Sequence, residues 1–227
     1  MAYRQCPKRL WLQVHKPEFK VESALSQTKF STGNQVGDIA IELYSQNTVG
    51  EVIDPFKLGW VEAIARTKTL LDGKQPIFEA TFKIDGALAM ADVLMVDGRS
   101  RTKKWRMVEV KSTTKVKDQH IEDAAFQYYV ASNSGLKLSN ISLAFIDSAW
   151  TYKKQGNYQG LLTETDLTTE AIALQQDVSV WLAGAHKTAN KRKEPNVEMR
   201  AQGGNCLLHT PDADDDQLHV TLRSTST

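Results

Sequence analysis

The sequence predicts an α/β fold: a mixed central sheet of about four strands flanked by helices, with an N-terminal helical part. Three observations predict it. Apolar residues recur at helical spacing through the first third of the chain. Near Ile77 the pattern switches to strand-like runs closed by Asp-Gly pairs. A helix and a further apolar strand then follow, in the order strand, helix, strand.

The elements follow in chain order. Leu10, Trp11 and Val14 mark a first helix, and Val36, Ile39, Ala40, Leu43 and Tyr44 a second. A third covers residues 60–71 and stops at Gly73. Residues 77–84 are strand-like and end on Asp85-Gly86. Residues 88–96 form a mostly apolar run closed by Asp97-Gly98. After the basic loop 99–104, residues 105–112 alternate again, which completes an antiparallel meander of three strands. A helix over 118–134 ends near Gly135. Residues 141–146 form a short buried strand that follows a crossover helix and is therefore expected beside a parallel neighbour. Residues 165–185 read as a final long helix carrying Leu167, Ile172, Val178 and Leu182. The chain thus divides into an N-terminal helical part (1–75), a core (76–186) and a charged, weakly ordered tail (187–227) that ends in an acidic run and a Ser/Thr stretch.

Composition narrows the function classes. A chain of 227 residues with 41% hydrophobic content suits one domain with an elaboration. The net charge of +1 gives no global argument for nucleic acid, so any such argument rests on local clusters. Two cysteines, Cys6 and Cys206, make no disulfide framework and suit a reducing compartment. No apolar run is long enough to span a bilayer, and the basic start lacks a secretory h-region. These features point to a cytoplasmic protein without membrane contact.

The residues that carry chemistry lie on the strands. Asp92 sits inside the apolar run 88–96, where an ionised carboxylate is costly unless it is paired or binds a metal. In Val108-Glu109-Val110-Lys111, strand alternation puts Glu109 and Lys111 on one face and turns the two valines into the core. Taken singly, a strand-end Asp or an acid–base pair two residues apart is ordinary surface chemistry. Together, two carboxylates on adjacent strands can hold Mg²⁺ or Mn²⁺, and the Val110 carbonyl can add an oxygen. A lysine beside them can orient water and steady developing negative charge, as phosphodiester hydrolysis requires. On the next helix, Asp123 and Gln127 share a face with Tyr128 near it. Gln127 is a candidate to contact phosphate or the attacking water, with a solvated polar face as the alternative.

Four segments, 77–82, 90–94, 108–112 and 123–129, come in the order seen in RecB-like nucleases. That branch of the PD-(D/E)xK superfamily includes the CRISPR-associated RecB-like exonucleases. The stretch Cys6-Pro7-Lys8-Arg9-Leu10-Trp11-Leu12 resembles the start of an uncharacterised bacterial family with a RecB-like nuclease domain. The resemblance covers most of residues 3–185 and implies a restriction-endonuclease-like core. It also implies that Asp92 and Glu109 are metal ligands, that Lys111 is the catalytic lysine, and that Gln127 is the glutamine of the helix motif. Glu79 matches an acidic position that joins the site.

The chain departs from that pattern in three places. Ala131 replaces a motif tyrosine, for which Tyr128 and Tyr129 are the alternatives. Asn34 stands where the branch places a histidine ligand. Many relatives bind a four-iron–four-sulfur cluster through four cysteines, and this chain has two, so no cluster is expected. Iron and sulfide analysis of anaerobically purified protein checks this expectation.

The leading expectation is therefore a metal-dependent nuclease acting on DNA, with RNA as the alternative substrate and any protein partner unspecified. Lys103 and Lys104, in the basic loop with Arg99 and Arg101, are candidates for phosphate contacts, as is Tyr128 for substrate. The competing expectation is a weakened nuclease fold that binds nucleic acid or protein without catalysis. Asn34, Ala131 and the missing cysteines favour it, and the intact Asp92, Glu109 and Lys111 set disfavours it.

Overall fold

Six strands form one sheet in the computed structural model, in a spatial order that follows the chain. They are β1 (Glu51–Val52), β2 (Ile77–Ile84), β3 (Ala87–Val96), β4 (Trp105–Lys111), β5 (Leu138–Ile146) and β6 (Leu162–Asp166). The structure describes residues 2–19, 24–98 and 102–196. The predicted meander is present as β2, β3 and β4, and β5 lies parallel to β4 as expected.

The sheet has two strands more than the sequence suggested. β1 has only two residues and pairs parallel with β2, too short to show a period. β6 reads Leu162-Thr163-Glu164-Thr165-Asp166, an edge strand with no apolar alternation. Because of β6, the single helix expected over 165–185 is not formed. Asp166 accepts a hydrogen bond from the Thr168 amide at 2.8 Å and turns the chain. Two helices follow, α7 (Thr168–Ala173) and α8 (Gln175–Ala189), in the numbering used for the remaining helices below.

Those are α1 (Ala2–Gln5), α2 (Pro7–His15), α3 (Ala24–Tyr44), α4 (Pro55–Leu58), α5 (Trp60–Leu70) and α6 (Asp118–Asn133). Helices α5 to α8 cover one sheet face, where Ile77, Leu94, Met107, Phe126, Ile141 and Val178 meet in the main core. Helix α3 covers the other face through Ile41 and Tyr44, against Phe78, Val93, Val108 and Ala144. None of the helices among the described residues is long and apolar enough to cross a membrane.

Residues 187–189 complete α8, and the chain after it is tied to the N-terminus. The Trp11 indole donates to the Lys191 carbonyl at 2.7 Å, and Lys8 pairs with Glu194. The weakly ordered tail expected from 187 onward therefore does not begin there, because the amphipathic start of the chain packs along α8. The rest of that expectation, 197–227 with Cys206, lies outside the described residues, as do Arg99 and Arg101.

Lys103 has a structural task. Its ammonium donates to the carbonyls of Leu71 and Gly73, just past the end of α5, and lies 5.2 Å from the Trp105 ring centroid. Lys103→Ala is expected to cost about 1 kcal/mol of stability while leaving the strand chemistry untouched. A urea midpoint equal to wild type would show that the cap contributes nothing.

Candidate active site

The site is built where two strands lose their regular period. From β2, the main core takes Ile77, then Ala80 and Phe82. From β3 it takes Ala87, Ala89 and Ala91, then Leu94. Each strand thus changes phase at the same level, where strand alternation would otherwise hold one parity. The pairs Phe78–Val93 and Ala80–Ala91 flank this level, so the constant register sets Glu79 opposite Asp92 in the gap. Glu79 carries the strain, with a φ of +57° in the left-handed region. The break is buttressed from α5, where the Thr67 hydroxyl accepts from the Thr81 amide at 2.8 Å.

On its other side, β3 stops pairing with β4 at Val93–Val108, and the next position would set Asp92 opposite Glu109. The Asp92 carboxylate replaces the missing ladder partner and accepts from the Val110 amide at 2.6 Å. Glu109 and Lys111 share the face of β4 that carries Trp105 and Met107, as alternation required, and their side chains pair at 3.1 Å. Val108 and Val110 face α3.

Helix α6 closes the site from above. The Gln127 amide donates to the second Glu109 oxygen at 2.5 Å, and its own Oε1 is buried without a hydrogen-bond donor among the described residues. One and two turns earlier, Asp123 and His120 are also buried, and the Lys117 amide donates to His120 Nδ1 at 3.2 Å. Glu109 is 0% exposed, Gln127 1%, and Asp92 and Lys111 8% each.

Charge is distributed unevenly. Burial and the neighbouring Asp92 push Glu109 up to about 7, against the opposing pull of Lys111 and Gln127. Burial, with Glu109 and Asp54, pushes Glu79 up to about 7 as well. Burial lowers the Lys111 pKa, but Glu109, Asp123 and Asp92 outweigh it and hold the ammonium protonated above its ordinary value. A carboxyl with a raised folded pKa contributes stability below its ordinary range and loses it as pH rises through about 7. The melting temperature is therefore expected to fall between pH 5 and pH 8, and Glu79→Gln should shrink that fall. An undiminished fall in Glu79→Gln would show that Glu79 does not titrate in this range.

The structure thus brings together Asp92, Glu109, Lys111, Gln127 and the Val110 backbone, with Glu79 at the strand gap. Gln127 is directed to Glu109 rather than to open space, so its contribution is to hold that carboxylate. Tyr128 packs, half-buried, against the main core. Ala131 is fully buried in the same core, and Tyr129 packs against it, half-buried like Tyr128. Lys103 and Lys104 lie before the start of β4, with Lys111 at its end. Lys103 is engaged on the carbonyls of Leu71 and Gly73, and both lysines lie away from the end of β4 that carries Lys111. Asn34 is exposed on α3, which covers the opposite face of β4, and no hydrogen bond or ion pair joins it to the carboxylates.

His120 was missed at the level of sequence, although its helical spacing from Asp123 and Gln127 is the signal that finds it. Among the described residues, no group of three or more His, Cys, Asp or Glu side chains is arranged to hold a metal ion. What the site offers a cation is the Asp92 and Glu109 pair, with an excess of buried acceptor oxygen around it.

Comparison with protein-family models finds no match, and comparison with curated proteins finds none either. Among solved structures, one described as the crystal structure of SSO0001 is similar at 13% identity, over 72% of this chain and 69% of that one. The TM-score is 0.31, a likeness too slight to carry an argument about activity.

Proposed function

We propose that this chain is a metal-dependent nuclease of the PD-(D/E)xK type that hydrolyses phosphodiester bonds, of DNA in the first instance. The observation that carries the reading is the buried Glu109–Lys111 pair with Asp92 one strand away, at the level where β2 and β3 change phase. Burying three charged groups is costly, and a fold gains nothing in packing by placing them on a sheet. Perturbed groups of this kind collect at functional sites.

Asp92 and Glu109 would hold Mg²⁺ or Mn²⁺, with the Val110 carbonyl as a further oxygen and Glu79 close by. What supports a cation there is the buried Asp92 and Glu109 carboxylates on adjacent strands, and a divalent charge would relieve the burial and the neighbouring acids that raise Glu79 and Glu109. When bound, the metal supplies Lewis acidity toward phosphate and water. The chain's own residues do the rest. Lys111, held protonated, donates to a phosphate oxygen as charge builds on it. Gln127 fixes one Glu109 oxygen, and the Val110 amide fixes one Asp92 oxygen, so neither carboxylate swings when substrate arrives.

Cleavage of linear and circular DNA in Mn²⁺ tests the reading. Hydrolysis that requires the divalent ion supports it. Specific binding of DNA with no hydrolysis in either metal would favour the competing reading, a non-catalytic binding module.

A further inference from the structure

Between β5 and β6, residues 147–161 gather three aromatic side chains outside either core cluster. The Trp150 and Tyr158 rings stack with centroids 6.3 Å apart and planes 25° from parallel. Tyr152 lies 5.7 Å from Tyr158, at 29°, and 5.8 Å from Trp150. Tyr152 is 49% exposed, so part of its ring is open to solvent.

The loop is braced. The Trp150 indole donates to the Gln159 carbonyl at 2.8 Å, and the Gly156 amide donates to the Tyr152 hydroxyl at 2.9 Å. At its base, the Asp147 amide donates to the Leu161 carbonyl at 2.9 Å. The rings are thus presented on a held framework.

Of the three rings Trp150 borders a pocket of about 320 Å³, which is lined also by Lys153, Lys154, Asn157 and Gln159. Among the described residues no acidic side chain lines it, and both lysines are exposed. Stacking faces, two ammonium groups and two amides together suit a chain of flat rings joined by anions.

The loop also has a position. β5 runs parallel to β4 with Lys111 opposite Phe145, and the Ile146 amide donates to the Thr113 carbonyl at 2.8 Å. The chain therefore leaves β5 for this loop at the same end of the sheet as Lys111.

We infer that residues 147–161 form a binding platform for single-stranded nucleic acid, which takes unpaired bases on Trp150 and Tyr152 and phosphates on Lys153 and Lys154. A duplex hides its base faces and would use only the lysines. The link to cleavage rests on the nuclease reading; the binding itself does not.

Fluorescence anisotropy of a labelled thymidine oligonucleotide and of a blunt duplex, both in EDTA, tests it without hydrolysis. The full chain should bind the single strand more tightly than the duplex. Trp150→Ala and Tyr152→Ala should each weaken single-strand binding about tenfold. Trp150→Phe, which keeps a stacking face but loses the indole bond, should stay within about threefold of wild type. Lys153→Gln with Lys154→Gln should flatten the dependence of affinity on salt. Wild-type affinity in both Trp150→Ala and Tyr152→Ala, or tighter binding of the duplex, overturns the platform. Ring-dependent binding in a protein that cleaves nothing in Mn²⁺ would keep the platform and remove the nuclease. Metal-dependent cleavage with no ring-dependent binding would do the reverse.

Discussion

Lys111→Met is expected to lower metal-supported cleavage by about 10²–10³-fold, the loss that follows removal of one preorganised donor to a developing oxyanion. Methionine keeps much of the buried stem and removes the charge. The loss should appear in kcat more than in KM, because the ammonium acts where negative charge grows. Stability will not be untouched. Strand alternation alone, with the valines turned into the core, would leave Lys111 on a solvated face. The structure shows instead that Lys111 is buried against Glu109 and under the charge of Asp123. Removing one partner of such a pair costs about 3–5 kcal/mol when the other stays charged. Glu109, already raised to about 7, can limit that cost by taking a proton. The variant should therefore be more stable at pH 6 than at pH 8, and cleavage should be compared at a temperature where both proteins are folded. A folded Lys111→Met protein with undiminished cleavage would remove Lys111 from the chemistry.

The second large effect concerns the metal. Asp92→Ala is expected to abolish measurable Mn²⁺ binding in a calorimetric titration, since it leaves one carboxylate where two are needed. Alanine also orphans the Val110 amide, at a cost of about 1–3 kcal/mol. Asp92→Asn keeps an acceptor for that amide and separates the two effects. Both variants should lose metal affinity, and only the first should lose much stability. Mn²⁺ should support cleavage at least as well as Mg²⁺. Equal Mn²⁺ affinity in wild type and both variants would place the metal elsewhere. Because Asn34 is exposed on a helix over the opposite sheet face, Asn34→His is expected to leave Mn²⁺ affinity unchanged.

Much of this architecture was legible in the residues, for identifiable reasons. The strands β2 to β4 announce themselves by apolar runs and by Asp85-Gly86, where the glycine adopts a φ of +72°. The shared face of Glu109 and Lys111 follows from the period of two. What could not be read was tertiary. β6 carries polar residues at an edge, and β1 is too short to have a pattern. The phase change at Glu79 and Asp92 leaves no trace in the sequence, because it arises from two strands breaking together. Lys103 looks like any loop lysine until α5 brings two carbonyls to it. Gln127 and Asp123 were visible as one helical stripe, to which His120 belongs by spacing, but only packing shows that the stripe faces Glu109 and Lys111.

The central claim is that Asp92 and Glu109 form one cation site beside Lys111. A crystal structure of the wild-type protein soaked in Mn²⁺, with anomalous scattering recorded at the manganese edge, tests it most directly. One peak is expected within about 2.0–2.3 Å of an oxygen of each carboxylate, absent from Asp92→Asn crystals soaked in the same way. A peak bound by other residues, or no peak between these two at saturating Mn²⁺, would contradict it.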